Sequence, residues 1–314
     1  MSLRRRLLDR FPELRSDSAF WRRALEAGVV HGPGWFVRSS PPVFGLAFAA
    51  GMPALRERVA RNLERAGVAP TARAVAEVFC EYAWSLTEAF AMGRGRGDRI
   101  RAVVEGDEAF RRALAMGRGI VVLTAHTSGW YAAGPVLGEA WAIDVVAVMQ
   151  RERDRAAAEL QESARSSLGV RVVYVGDDPL SALPLLGHLR KGGVVAMQID
   201  RAAPGQRTLE VPLLGEPTPV PEGPFTLASL GGAPIVTVLA RRTGHLSYAL
   251  EVGEPIVLPG RASAEELRRA ALEVARRVER FVRRHPTHWF DFGAGASVPS
   301  EATQAPVSPG AAMS

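Results

Sequence analysis

The histidine that ends an apolar run at residues 119–125 is the first side chain whose position suggests chemistry. The run GIVVLTA stops at His126, and the small residues Thr127, Ser128 and Gly129 follow. An imidazole has an unperturbed pKa of about 6.5, so it can accept a proton from a hydroxyl or amine near neutral pH. We therefore predict that His126 is a general base with room for a substrate beside it, and that the backbone amides of residues 127–129 stabilise a developing oxyanion.

A second apolar run also ends in polar side chains. The segment AMQIDR carries Gln198 and finishes with Asp200 and Arg201. In open α/β sheets, ligands collect at the carboxyl ends of the strands, so neighbouring strand ends contribute to one site. We predict that Asp200 and Arg201 bind substrate together with Ser128 and Gly129.

Covalent and metal-dependent catalysis are less well supported by the residue pattern. Ser128 lies in HTSGW, which is not the Gly-x-Ser-x-Gly turn that exposes a nucleophilic serine. The six histidines are scattered, and His285 and His288 have no matching carboxylate cluster. The single cysteine, Cys80, lies in an apolar helical pattern that indicates a core thiol. No metal and no cofactor are predicted.

The elements that would position these residues alternate between strand and helix from residue 116 onward. Helical patterns at about 130–140, 154–168 and 179–190 separate short β-branched runs, and a long arginine-rich helix is expected at 263–284. Two further strands should form a hairpin around Thr243 and Gly244. The runs predicted as strands are GIVVLTA, IDVVAVM, VRVVYV, GVVAMQI, APIVTVLARR and HLSYALEVG. This order predicts an α/β fold with a mostly parallel central sheet flanked by helices.

The domain organisation follows from the same change of pattern. Residues 1–115 are predicted to be an N-terminal helical region, because apolar residues there recur at three- and four-residue spacing. Residues 116–293 are predicted to be the α/β core. The tail at 294–314 is rich in Ala, Pro and Ser and is expected to be disordered.

Composition limits the classes of function without selecting one. The 314 residues are 47% hydrophobic, with a net charge of +6 carried almost wholly by arginine, since Lys191 is the only lysine. A basic surface suits nucleic acid, anionic lipid or an acidic carrier protein. No secretory signal is visible, and the apolar stretch at 41–55 is too short and too rich in Pro and Gly for a membrane span. It could still contact a membrane surface.

An ordered set of motifs resembles one enzyme superfamily. TAHTSGWYAAG resembles the His-x4-acid motif of the lysophospholipid and glycerol-phosphate acyltransferases, in particular the branch that contains the lipid A late acyltransferases. Similar segments follow in the order typical of that branch, and the resemblance covers about residues 55–293. They are RVARNLERAG, VAVMQRERDRAAAELQESARSSLGVRVVYVGDD, LRKGGVVAMQIDR, VPLLGEPTPVPEGPFTLASLGGAPIVTVLARR and RRHPTHWFDFG.

The resemblance implies a glycerol-phosphate-acyltransferase-like fold and a transferase. Such an enzyme moves a fatty acyl group from an acyl carrier protein or coenzyme A thioester to a hydroxyl on a lipid or glycolipid. The resemblance also implies that His126 is the general base. Arg151 and Arg153 would hold a phosphate of the acceptor or of the carrier. The N-terminal membrane helix common in this branch is missing, so a peripheral protein on the inner face of the cytoplasmic membrane is expected.

The motif acid is replaced by Tyr131. We expect Tyr131 to hydrogen-bond His126, although a neutral phenol supports an imidazolium less than a carboxylate does. Alternatively, Glu152 or Asp200 could take over, or the protein could be a catalytically silent homologue that binds acyl chains or carrier protein. A nucleic-acid-binding function is a third possibility, but no recognised binding motif is present.

Overall fold

The computed structural model describes residues 27–29, 31–92, 100–149, 170–174, 182–203 and 205–292. Within these ranges, helices come first and a seven-stranded sheet with further helices follows. The helices before the sheet are α1 (Gly34–Ser39), α2 (Pro41–Gly51), α3 (Pro53–Arg65) and α4 (Ala72–Met92). No helix in these ranges is both long and apolar enough to cross a membrane.

The sheet and its helices follow in chain order, with one two-stranded hairpin outside the main sheet. They are β1 (Arg101–Glu105), α5 (Asp107–Ala115), β2 (Ile120–Thr124), α6 (Trp130–Trp141), β3 (Val145–Met149), β4 (Arg171–Tyr174), α7 (Leu183–Arg190), β5 (Val194–Gln198), β6 (Thr208–Leu213), β7 (Glu216–Pro221), α8 (Gly223–Gly231), β8 (Ile235–Gly244), β9 (Ser247–Val252) and α9 (Ala264–Arg284). A 3₁₀ turn, Pro286–His288, follows α9.

The main sheet has the order β1-β9-β8-β2-β5-β3-β4, and β6 pairs with β7 separately. All pairs in the main sheet are parallel except the hairpin of β8 and β9. The predicted α/β fold with a mostly parallel sheet is therefore confirmed. The hairpin predicted near Thr243 and Gly244 is also present, because β8 ends at Gly244 and β9 begins at Ser247.

Strand β2 lies at the centre of the sheet and is buried along its whole length. Its side chains alternate between two apolar layers, as a strand covered on both faces requires. Val121 and Leu123 pack in the layer that contains residues of α7, α8 and α9. Ile120 and Val122 pack in the layer that contains residues of α5 and α6. This burial holds the carboxyl end of β2, where His126 follows, in a fixed place.

Strand β1 extends the sheet into the region predicted to be helical. Residues 101–105 pair in parallel with β9, so the sheet begins before the boundary predicted at residue 115. The strand forms one edge of the sheet, only Val104 is partly buried, and Val103 is 64% exposed. A strand this exposed lacks the apolar run that marks the buried strands. The predicted helix at 154–168 and the tail at 294–314 lie outside the described residues.

Helix α9 covers one face of the sheet and directs the chain back to the centre of the molecule. Ser263 and Glu266 form a reciprocal capping box at its first turn, which satisfies two backbone amides. Its buried face carries aliphatic and aromatic residues from Leu267 to Val282. After Arg284 the chain turns through the 3₁₀ segment and reaches the loop that follows β2. The helix predicted at 263–284 is present.

Candidate active site

The parallel pairing of β2 and β5 brings His126 and Asp200 together. Thr124 at the end of β2 is in register with Gln198 at the end of β5, and the Ile199 amide donates to the Thr124 carbonyl at 3.0 Å. Two residues beyond Thr124 lies His126, and two beyond Gln198 lies Asp200. Both therefore leave the same edge of the sheet side by side.

Asp200 accepts two hydrogen bonds from His126. Its Oδ1 atom lies 2.8 Å from His126 Nδ1, and its Oδ2 atom accepts the His126 backbone amide at 3.0 Å. The Asp200 side chain is fully buried, whereas the His126 side chain is 25% exposed. The predicted strand-end cluster is therefore present, but Asp200 has both oxygens occupied inside the protein. These contacts are with the imidazole loop and differ from the contact with substrate that the sequence predicted for Asp200.

The protonation states of the pair follow from their surroundings. Burial by itself raises the pKa of the Asp200 carboxyl, but the charge and hydrogen bonds of His126, with the charge of Arg201, outweigh it and hold the pKa well below its usual range. An ionised carboxylate only accepts hydrogen bonds, so His126 must carry its proton on Nδ1. The Nε2 atom is then the basic nitrogen.

A C-terminal segment holds the His126 loop from the other side. Thr127 and Trp289 form an antiparallel bridge. The Ser128 amide donates to the His288 carbonyl, and the Phe290 amide donates to the His126 carbonyl, each at 2.8 Å. The last segment of the described chain therefore acts as a short strand that keeps the loop after β2 in place.

Ser128 belongs to the support of this loop. Its side chain is fully buried, its Oγ atom lies 2.5 Å from His288 Nδ1, and it accepts the Arg242 amide at 3.0 Å. Burial lowers the pKa of His288 to about 4, so the ring is neutral at pH 7 and shares a hydrogen bond with the Ser128 hydroxyl. The structure thus gives Ser128 a structural contact instead of the predicted contact with substrate.

Gly129 is the N-cap residue that precedes helix α6, and it is buried, with a positive φ of 87°. A Cβ atom at this position would lie 2.5 Å from the Tyr248 ring, so both the backbone and the packing require glycine. The Thr127 and Ser128 amides already donate to the carbonyls of Ala125 and His288. Of the three amides predicted to bind an oxyanion, that of Gly129 alone lacks an acceptor within the described residues.

Tyr131 does not take the place of the motif acid at His126 Nδ1, because that nitrogen faces Asp200. The Tyr131 ring stacks on Trp130 with ring centres 3.6 Å apart. The structure therefore gives a different partner from the one predicted, and it agrees with the alternative in which Asp200 supplies the carboxylate.

Of the three arginines predicted to bind substrate, only Arg201 lies within the described residues. Arg201 follows Asp200 and is partly exposed, and its Nε atom has no hydrogen-bond partner among the residues described. This Nε atom is itself buried, while the residue as a whole is partly exposed. Arg151 and Arg153, like the alternative carboxylate Glu152, lie outside the described residues. Within the described ranges, no three His, Cys, Asp or Glu side chains are grouped so as to hold a metal ion.

Several supporting residues were not assigned a role from the sequence. Arg242 forms a bidentate ion pair with Glu81 of α4 at 2.7 and 2.9 Å and lies 4.9 Å from the Trp84 ring. Trp289 donates its indole N–H to Asp200 Oδ2 at 3.0 Å. The only signal for Trp289 was its place in the segment RRHPTHWFDFG, which the resemblance included without giving a role to the tryptophan.

Comparison with known proteins gives the family. One solved structure with a similar arrangement is the 1-acyl-sn-glycerophosphate (LPA) acyltransferase PlsC from Thermotoga maritima, at 16% identity and a TM-score of 0.35 over 77% of this chain and 95% of that chain. No curated protein matches the sequence significantly. A family model described as bacterial lipid A biosynthesis acyltransferase matches residues 37–293. The chain therefore belongs to this family of lipid acyltransferases.

Proposed function

We propose that the protein transfers a fatty acyl group from an acyl carrier protein or coenzyme A thioester to a hydroxyl or amine of a lipid, glycolipid or lipid-like metabolite. His126 is the general base. The observation that carries this proposal is the contact between His126 Nδ1 and the buried Asp200 carboxylate, which leaves Nε2 as the proton acceptor.

In the proposed reaction, His126 alone accepts the proton and later returns it. His126 Nε2 removes the proton of the acceptor hydroxyl, and the oxygen attacks the thioester carbonyl to form a tetrahedral intermediate. The imidazolium that forms is stabilised by Asp200, whose charge lies 2.8 Å from Nδ1. When the intermediate collapses, the C–S bond breaks and the proton on Nε2 passes to the leaving thiolate. We assign the oxyanion to the Gly129 amide, because this amide alone of the three lacks an acceptor within the described residues.

Recognition of a phosphorylated acceptor or carrier is assigned to arginine. A guanidinium presents paired N–H donors that match a phosphate. Arg201 is the candidate next to the His126–Asp200 pair, and Arg151 and Arg153 remain candidates from the sequence. The family relationship supports a lipid acceptor.

A membrane surface is proposed as the place where the acceptor is met. Helices α1 and α2 carry four exposed apolar side chains, Trp35 (71%), Val43 (66%), Phe44 (40%) and Leu46 (51%). Helix α2, PPVFGLAFAAG, contains no charged residue. An exposed apolar patch of this kind is typical of a protein or membrane contact. We assign it to a peripheral contact with the inner face of the cytoplasmic membrane.

The catalytic part is tested with purified protein and acyl thioesters of both donor types. Thiol release should depend on an acceptor and should fall at least about 100-fold in His126→Ala, the loss typical of a missing general base. His31→Ala is the matched control, since His31 is exposed and distant in sequence from the site. Retained turnover in His126→Ala would contradict the role of His126. No turnover by the wild type, with acyl-chain or carrier binding, would favour the silent homologue.

The membrane part is tested by sedimentation with anionic vesicles. The double variant Trp35→Ser, Phe44→Ser should lower the partition coefficient by at least about 100-fold, because burying each large apolar side chain contributes about 1.5–3 kcal/mol. Val103→Ser is the control, since Val103 is equally exposed on the edge strand β1. High salt should weaken binding of the wild type. Equal binding of the double variant and the control would refute the assignment of this surface.

A further inference from the structure

Asp200 can orient His126 only if its own carboxylate is held in place. A carboxylate at the end of a short side chain can rotate about its last bond, and a rotation would remove Oδ1 from His126 Nδ1. The His126 backbone amide donates to Oδ2 at 3.0 Å, but that amide belongs to the same loop as the imidazole. A second donor, from another part of the chain, would fix the carboxylate relative to the sheet.

Trp289 supplies that donor. Its Nε1 atom lies 3.0 Å from Asp200 Oδ2, and the side chain is 5% exposed. Trp289 follows α9 and the 3₁₀ turn, so its indole comes from a segment far from β2 in the chain, and the bridge of its backbone to Thr127 holds that segment beside the His126 loop. Oδ2 therefore accepts two N–H groups while Oδ1 accepts His126 Nδ1–H.

We infer that Trp289 is a positioning residue for the proposed acyl transfer, which acts on His126 through Asp200. The indole N–H holds Oδ2, Oδ1 then stays at Nδ1, and the basic nitrogen stays at Nε2. This inference rests on the proposed function of His126. It is distinct from a packing role, because it depends on the N–H group and not on the size of the ring.

The chain offers a matched control for the loss of one indole N–H. Trp141, at the end of α6, packs against Phe110 with ring centres 4.5 Å apart. Its Nε1 atom is buried and has no hydrogen-bond partner within the described part of the chain. Trp141→Phe therefore removes an indole N–H that has no acceptor among the described residues. Trp289→Phe removes an indole N–H that donates to Asp200 Oδ2.

The first readout is the tautomer of His126, which needs no turnover. In ¹⁵N-histidine spectra of the full chain, with the His126 signals identified from His126→Gln, the wild type should show protonated Nδ1 and unprotonated Nε2 at a pH of about 8. Trp289→Phe should move the ring toward the Nε2–H form, and Trp141→Phe should leave it unchanged. An unchanged tautomer in folded Trp289→Phe would overturn the inference, whether or not the enzyme assay succeeds.

The second readout is kinetic. Trp289→Phe should lower kcat about 10- to 100-fold with KM changed less than about threefold, since a hydrogen bond to a charged group carries an effect of this size. In an Asp200→Ala background the same substitution should cause no further loss, because the group through which it acts is gone. A full further loss in that background would show a packing role and overturn the inference.

If Trp289→Phe does not fold, 3-benzothienylalanine at position 289 keeps the ring shape and lacks the N–H. The same tautomer shift is expected for it, and a wild-type spectrum would refute the role of the N–H. Absence of thioester turnover in the wild type, together with the expected tautomers, would contradict the proposed function while supporting the contact described here.

Discussion

The substitution Asp200→Asn tests the His126–Asp200 pair most directly, because it changes charge and donor pattern with little change in shape. The Oδ2 position receives two N–H donors, from the His126 backbone and from Trp289. The amide NH₂ of asparagine cannot occupy that position, since donors would then face donors. The asparagine carbonyl must therefore lie there, and its NH₂ group must face His126 Nδ1.

This orientation of the asparagine amide reverses the tautomer of His126. An NH₂ group donates to Nδ1, so the ring proton moves to Nε2, and Nε2 can no longer accept a proton from substrate. Loss of the charge-assisted bond at 2.8 Å contributes about 1.5–3 kcal/mol, or roughly 10- to 150-fold. Comparable tautomer reversals in histidine-dependent enzymes cost about 10⁴-fold in kcat. We expect a loss of about 10³- to 10⁴-fold.

The assay is thiol release from the acyl thioester at saturating acceptor, with the ¹⁵N tautomer of His126 as a second measurement. Asp144→Asn is the matched control, since Asp144 is an exposed carboxylate 3.8 Å from the ring of His188. The control should keep wild-type turnover. Turnover of Asp200→Asn within about threefold of the wild type, or an unchanged tautomer, would refute the reasoning.

Three further outcomes are expected. Gly129→Ala should lower the free energy of unfolding by about 2 kcal/mol or more, measured in urea, because a Cβ atom would lie 2.5 Å from the Tyr248 ring at a positive φ; wild-type stability would contradict this packing. Since the pKa of His288 is about 4 in the fold and 6.5 is its ordinary value, the unfolded chain binds the proton more readily, and stability should fall by up to about 3 kcal/mol as the pH decreases from 6.5 to 4. That slope should be shallower in His288→Gln. Tyr131→Phe should cost at most about threefold in thioester turnover, because Asp200 holds Nδ1; a loss as large as that of Asp200→Asn would restore Tyr131 as the partner.

Local patterns predicted most of the secondary structure, because burial leaves a periodic trace in the sequence. The buried strands β2, β3 and β5 are short β-branched runs, and α9 shows apolar residues at helical spacing. The edge strand β1 was missed since exposed residues carry no such trace. The hairpin of β6 and β7 was missed as well, and four of its residues are prolines.

The candidate site was predicted in part. The end of an apolar run identified His126, and the end of another identified Asp200, because a buried strand that stops at a polar residue marks a sheet edge. The motif spacing then assigned the partner to Tyr131, five residues on. That spacing identifies Tyr131, which is close to His126 along the chain. The imidazole instead faces Asp200, which lies at the end of the neighbouring strand of the sheet.

The sequence alone therefore determined the α/β class, the strand that carries His126, the family resemblance and the apolar stretch at 41–55. Only the tertiary structure decided which groups surround the imidazole. Asp200 is 74 residues from His126 along the chain, and Trp289 is 89 residues from Asp200. Their meeting depends on the register of β2 with β5 and on the return of the chain after α9. Both are long-range contacts that no local spacing encodes, since they arise from the packing of separate buried segments into one core.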